Sequence, residues 1–308
     1  MKRIAAAPVL FALIGSASTL HSQHTGKPQS ELDLGAAYVR AGRCESAIEP
    51  LQRALPDEKA RFLLGSCYFQ AGRWDLAAAE LEALRARPAF AENALYLLEE
   101  TYRKLHDEAR ARQAFTELLT RYPDSALIHK LLGAAYDAQG RYPEALREFE
   151  TAAAKDPDLP EVNFAAGLIS LKLHNEAAAQ PRFERELSLN GCFVPALFYL
   201  GEMKRKANAL PSAAEWYRRA LRCQPGNADA HLGLGVTLQN LGRDAEALRE
   251  FREAARLAPD RPDAHFQLAR ALARAGAAAE SNRELQKARQ LQEAQDASAR
   301  ERANLQPR

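Results

Sequence analysis

The chain has 308 residues, with 42 basic and 40 acidic side chains, a net charge of +2 and a hydrophobic content of 47%. That balance argues against a nucleic-acid binder, which shows a basic face or a high isoelectric point, and against general attachment to anionic lipid. The length would allow two globular domains, but the patterning described next calls for one elongated array.

The first 18 residues have the layout of a secretory signal peptide: Met1-Lys2-Arg3, a largely apolar run from Ile4 to Ile14, then Gly15, Ser16, Ala17 and Ser18. Cleavage is expected near Ala17 or Ser18. The apolar core is 11 residues, whereas a membrane-spanning helix wants about 20, so no stable span is expected after cleavage. A secreted, periplasmic protein is the expectation; the alternative is an inner-membrane anchor made by an uncleaved N-terminus. No lipid-attachment cysteine occurs here, and removing Lys2 and Arg3 leaves a net charge of zero. Residues 19–29 read as a polar linker.

From residue 30 to 290 a pattern recurs eight times. Its anchors are Gly35, Gly65, Glu99, Gly133, Gly167, Gly201, Gly235 and Ala269, and six of the seven intervals are 34 residues, the first being 30. Such self-similarity is the signature of a stacked solenoid, in which no unit buries its apolar face alone. With the anchor as position 8, position 7 is leucine in all repeats except at Ala166. Position 20 is alanine from Ala47 to Ala247 and then Ser281, and position 24 is large: Leu51, Leu81, Phe115, Phe149, Phe183, Tyr217, Phe251 and Leu285. Small residues at 8 and 20 let two antiparallel helices approach, and the large one fills the gap.

Breakers mark two helices per repeat. Gly42, Gly72, Gly140, Gly242 and Gly276 fall at position 15, where a helix ends and a left-handed residue is useful. Pro123, Pro157, Pro225 and Pro259 follow the second helix; Pro143, Pro211, Pro160 and Pro262 sit where helices start. Pro50 and Pro181 lie inside second helices, so each removes a hydrogen bond and should kink its helix. The four residues missing after the first repeat amount to about one helical turn. Residues 291–308, rich in Ala, Glu, Gln and Arg, read as a polar helical extension and tail.

The Leu-Gly-x-x-Tyr, Ala-x-x-x-Phe and closing Pro pattern, nearly complete in Leu132, Gly133, Tyr136, Gly140, Tyr142, Ala145, Phe149, Ala152 and Pro157, resembles the tetratricopeptide repeat (TPR). The resemblance implies an all-α, right-handed alpha-solenoid of about eight helix-turn-helix repeats. Repeat 5 departs most, with Ser170, Glu186 and Gly191 where Tyr, Ala and Pro are usual.

In that family the first helices line a concave face. Position 5 would then supply a groove wall of Leu32, Phe62, Tyr96, Phe164, Phe198, Leu232 and Phe266, interrupted by Lys130. Either these side chains receive an extended peptide or partner helix, or they pack against neighbouring helices. Position 13 gives Arg40, Lys104, Lys172, Lys206 and Arg274, either a basic groove edge or cations complementing helix dipoles. In the repeat frame Cys192 and Cys223 fall at adjoining helix ends, and Cys44 and Cys67 on neighbouring helices, so two local disulfides are expected in a secreted chain; free buried thiols are the alternative.

Nothing singles out catalysis. His129, His231 and His265 recur at position 4 without completing a metal-ligand set, and Gly233-x-Gly235 lies within an expected helix with no preceding strand. The expectation is a non-enzymatic scaffold without metal or cofactor that binds protein or peptide, not nucleic acid, in its groove. The alternative is a structural subunit of a cell-envelope complex that uses its convex face or ends.

Overall fold

The computed structural model describes residues 30–305. The expected signal peptide and linker lie outside them, as does the end of the tail. The described residues form an all-α solenoid of 16 helices, two per repeat. They fall into two compact units that divide between Ala179 and Gln180.

The first unit holds α1 (Glu31–Arg40), α2 (Cys44–Arg53), α3 (Glu58–Gln70), α4 (Trp74–Glu82), α5 (Ala91–Lys104), α6 (Glu108–Arg121), α7 (Ala126–Ala138), α8 (Tyr142–Lys155) and α9 (Val162–Lys172). The second holds α11 (Val194–Lys206), α12 (Leu210–Cys223), α13 (Ala228–Asn240), α14 (Asp244–Leu257), α15 (Pro262–Arg274) and α16 (Ala278–Leu305). The boundary falls inside α10 (Glu176–Leu189), beside Pro181, in the repeat whose sequence is least regular.

Five repeats close by one device. A Cβ placed on Gly35, Gly65, Gly133, Gly201 or Gly235 would come within 2.6–3.0 Å of Leu51, Leu81, Phe149, Tyr217 or Phe251, the large residue of the same repeat. Position 8 is therefore glycine because the second helix sets its bulky side chain directly on the first. Position 20 is buried throughout, and where it is serine the Ser281 hydroxyl donates to the Ala269 carbonyl at 2.8 Å. That bond ties position 20 to position 8 across the pair.

The turn between paired helices is left-handed in all eight repeats. Five glycines take φ of 70–78°, and His106, His174 and Asn208 occupy the same position with φ of 57–58°. The glycine pattern alone missed these three. A left-handed non-glycine residue costs roughly 1–2 kcal/mol, so His174→Gly is expected to stabilise the protein by about 0.5–1 kcal/mol after the chain entropy of glycine is deducted. The check is a higher urea midpoint at unchanged slope.

Proline placement agrees in part. Pro143, Pro195, Pro211 and Pro262 occupy the first helical turns of α8, α11, α12 and α15. Pro160 does not start a helix: Glu161 follows it with φ of 68°, and α9 begins at Val162. Helices α2 and α10 run through Pro50 and Pro181, each of which deprives the carbonyl four residues earlier of its helical donor. The missing turn is taken from α2, with 10 residues where α6, α8, α12 and α14 have 14; α4 has 9, but its repeat keeps the full 34-residue spacing and the chain continues in turns before α5.

Candidate functional site

The inner row is more closed than an open groove requires. Phe62 and Tyr96 are 3% and 4% exposed, packed into the first unit's core with Phe62 against the Phe90 ring. These two groove residues are therefore packing residues: a side chain pinned between neighbouring first helices has no face left for a ligand. Leu32, Phe164, Phe198 and Leu232 are half-buried, and Phe198 tilts against Tyr217. Phe266 alone of the row stands out, 45% exposed, with the Arg270 guanidinium over its ring.

Lys130 fills the row's centre. Its Nζ donates to the Pro160 carbonyl at 3.0 Å and to Glu161 at 3.3 Å, and lies over the Tyr96 ring. Burial opposes its charge, but Tyr96, Glu161 and Glu100 outweigh it and hold Lys130 above the usual lysine range. The same burial pushes the Tyr96 hydroxyl up to about 12.

One repeat back, Glu99 occupies the position that is elsewhere Gly or Ala. It is 8% exposed, one oxygen pairs with Arg103 at 3.0 Å, and its Oε2 has no hydrogen-bond partner among the described residues. Where Gly133 admits Phe149, the longer Glu99 leaves its counterpart Phe115 only half-buried. Desolvation pushes the Glu99 carboxyl up to about 7.

Of the groove-edge cations, Arg40, Lys104, Lys172, Lys206 and Arg274 are all exposed. Lys172 pairs with Asp137 and Arg274 with Asp244 at 3.4 Å. Arg40, Lys104, Lys172 and Lys206 end or nearly end their helices, as the dipole account requires.

A motif the sequence reading passed over joins the two helices of a repeat. The position-4 side chain meets a glutamate 19 residues later: Arg61 with Glu80 at 3.0 Å, His129 with Glu148 at 2.7 Å, His231 with Glu250 at 2.7 Å, and His265 with Glu284 at 2.6 Å. The signal was available, since every position-4 cation has this glutamate in its own repeat. In two repeats the other ring nitrogen faces a proline carbonyl, Pro225 at 2.9 Å and Pro259 at 3.2 Å. At His231, with acceptors on both nitrogens, the imidazolium fits best, and hydrogen bonding to Glu250 raises its pKa above the ordinary 6.5.

These groups set a pH dependence. The folded Glu99 keeps a proton that the unfolded chain has lost, so stability falls as pH rises from the ordinary 4.5 towards 7. His231 contributes fully below its unfolded value of 6.5 and loses that contribution as pH rises through its raised value. Melting temperature is therefore expected to drop between about pH 5 and pH 8. Glu99→Gln should flatten the lower part of the profile, with a gain on the order of 2 kcal/mol at the alkaline end, and His231→Gln the upper part. A profile identical in all three proteins would contradict the assignment.

The cysteines divide. Cys192, in the turn before α11, is bonded to Cys223 at the end of α12, with 5.5 Å between Cα atoms. The second expected pair is not bonded: Cys44 and Cys67 are free, buried thiols with sulfurs 2.7 Å apart. Cys67 donates to the Cys44 sulfur and Cys44 to Gln70 Oε1 at 3.1 Å. Bonding to Cys44, helped by burial, raises the Cys67 pKa, and the bond received from Cys67 lowers that of Cys44.

A tetratricopeptide repeat model matches residues 32–92 and 100–160. A second TPR model matches 201–242 and a third 228–261. The chain belongs to the tetratricopeptide repeat family. The stretch between 160 and 201, which holds the irregular fifth repeat, is matched by none of the three. No match was found among curated proteins.

Solved structures similar to this TPR protein include the APC/C hetero-tetramer Cut9-Hcn1, at 15% identity and a TM-score of 0.66 over 85% of this chain and 52% of that one. PilW, a widely conserved type IV pilus biogenesis factor, matches at 24% identity and 0.52 over 66% and 94%. MamA 41-end from Desulfovibrio magneticus RS-1 matches at 20% identity and 0.51 over 56% and 98%. At these identities the likeness is one of fold. The TPR family is a generally non-catalytic one whose members act as protein–protein interaction scaffolds. Among the described residues no three His, Cys, Asp or Glu side chains gather as a metal site, and no helix is long and apolar enough to cross a membrane.

Proposed function

We propose that this TPR protein is an assembly scaffold of a cell-envelope complex whose partners dock on the outer faces of its second helices. The observation that carries the reading is the closure of the inner row: Phe62 and Tyr96 are consumed by packing and Lys130 is tied to Pro160 and Glu161. Meanwhile Leu76 on α4 and Leu119 on α6 stand 48% and 38% exposed. Placement outside the cytoplasm is supported by the N-terminal signal layout and by the Cys192–Cys223 bridge, since such bonds persist in oxidising compartments.

The competing reading, an extended peptide in the inner groove, is favoured by exposed Phe266. One experiment separates them. Tagged wild type, Leu76→Ser/Leu119→Ser and Phe164→Ser/Phe198→Ser/Phe266→Ser are each used for affinity purification from the envelope fraction of the source cells. Partners should be lost with the first variant and kept with the second; the reverse result overturns the proposal.

A further inference from the structure

The near-neutral total conceals a division of charge along the chain. Residues 30–179 carry 18 basic and 24 acidic side chains, whereas 180–308 carry 21 and 16. The difference concentrates at particular places on the second helices. Positions 22, 25 and 29 lie three and four residues apart, so they share one helix face. In α12 they are Glu215, Arg218 and Arg222, in α14 Arg249, Arg252 and Arg256, and in α16 Arg283, Gln286 and Gln290.

The earlier repeats provide an internal control. In α6, α8 and α10 the same positions read Gln113, Thr116, Thr120, then Arg147, Glu150, Ala154, then Pro181, Glu184, Ser188. The fold therefore forms with neutral or acidic residues at these places and does not require arginine. Arg222, Arg249, Arg252, Arg256 and Arg283 are exposed, and Arg218 is half-buried.

Local pairing accounts for little of this. Arg256 meets Glu253 at 2.8 Å, but Arg249 and Arg252 stand 3.9 and 3.8 Å from Glu246 and Glu280. Glu246 is already held by Arg243 at 2.6 Å. Arg222 and Arg283 have no ion-pair partner among the described residues. Helix dipoles explain Arg222 and Arg256, one residue from the ends of α12 and α14, but not Arg218 or Arg252 in their interiors.

We infer that the outer face of α12, α14 and α16 is a docking surface for an acidic protein segment, whose carboxylates the arginine forks engage. Neighbouring arginines lie about 6 Å apart along a helix, and the faces adjoin across repeats: Arg252 of α14 reaches Glu280 of α16 at 3.8 Å, and Arg218 of α12 acts on Glu246 of α14. An extended chain with recurring Asp or Glu can meet several at once, and a guanidinium holds a carboxylate through two parallel hydrogen bonds where a lysine offers a point charge. Glu215, Glu253 and Glu280 lie among the arginines, which breaks the single-sign field that a nucleic-acid backbone or anionic bilayer would meet. Discrete carboxylates of a peptide can be placed between them.

The test is fluorescence anisotropy with a fluorescein-labelled glutamate oligomer and purified full-length protein. Arg218→Gln/Arg222→Gln/Arg252→Gln is expected to weaken binding about tenfold, the sum of three exposed charge contacts, and to reduce its salt dependence. Arg147→Gln, at the equivalent exposed place on α8, should leave it unchanged. Equal affinity of the triple variant, or tighter binding of wild type to duplex DNA or phosphatidylglycerol vesicles than to the oligomer, overturns the inference. It rests on the outer-face reading of function, and the two fail differently. Unchanged oligomer binding by the arginine variant, with envelope partners lost in Leu76→Ser/Leu119→Ser, overturns this inference alone; partners lost only in the inner-row variant overturn that reading.

Discussion

Tyr217→Ala is expected to lower the stability of the α11–α14 region by about 3–5 kcal/mol, the range for removing a fully buried large aromatic side chain. The ring is 0% exposed and wedged between two glycines: a Cβ on Gly201 would come within 2.8 Å of it and one on Gly233 within 2.6 Å. Gly201 belongs to the same repeat and Gly233 to the next, so truncation opens a gap on two interfaces at once. The hydroxyl donates to Glu202, whose carboxylate burial would raise but hydrogen bonds from Arg205 and Tyr217 hold below its usual range. Tyr217→Phe keeps the wedge and loses only that bond, so about 1 kcal/mol is expected. Urea denaturation of both variants is the measurement, and a loss of less than about 1 kcal/mol for the alanine variant would contradict the wedge.

The Cys192→Ser variant should lose about 3 kcal/mol, because the bridge closes a separation of 31 residues and cross-links constrain the unfolded chain more as the loop grows. Wild type in reducing buffer should melt where the variant does. Sulfhydryl titration after denaturation without reductant should count two thiols, Cys44 and Cys67. A count of zero would mean that the second pair is bridged, and a count of four that neither is.

The periodic glycine and alanine told the fold because close helix approach permits little else: Gly133 under Phe149 has no room for a side chain. Such constraints repeat, so one sequence reveals them. The left-handed turns were legible only where they were glycine. His106, His174 and Asn208 adopt the same backbone because the flanking helices impose it, and a local signal cannot show that. The groove was read least well. Phe62 and Phe266 share a repeat position, yet one is 3% and the other 45% exposed. What differs is the neighbour: Phe90 lies against Phe62, whereas Arg270 lies over Phe266. Of the two cysteine pairs expected, the one at adjoining ends, a turn and a helix end, is bonded, whereas the one on two neighbouring helices is not.

The truncated α2 bears on how such a molecule can vary. Its 10 residues against the 14 of α6, α8, α10, α12 and α14 are four fewer, or about 400° of winding at 3.6 residues per turn, so the apolar stripe faces the same way after the cut as before. Helix α16 goes the other way, with 28 residues. Second helices thus behave as struts of adjustable length: trimming or lengthening by whole turns preserves their seat. A one- or two-residue change inside them would swivel the buried edge towards water, which makes indel size, more than indel position, the variable that decides whether a descendant of this chain still folds.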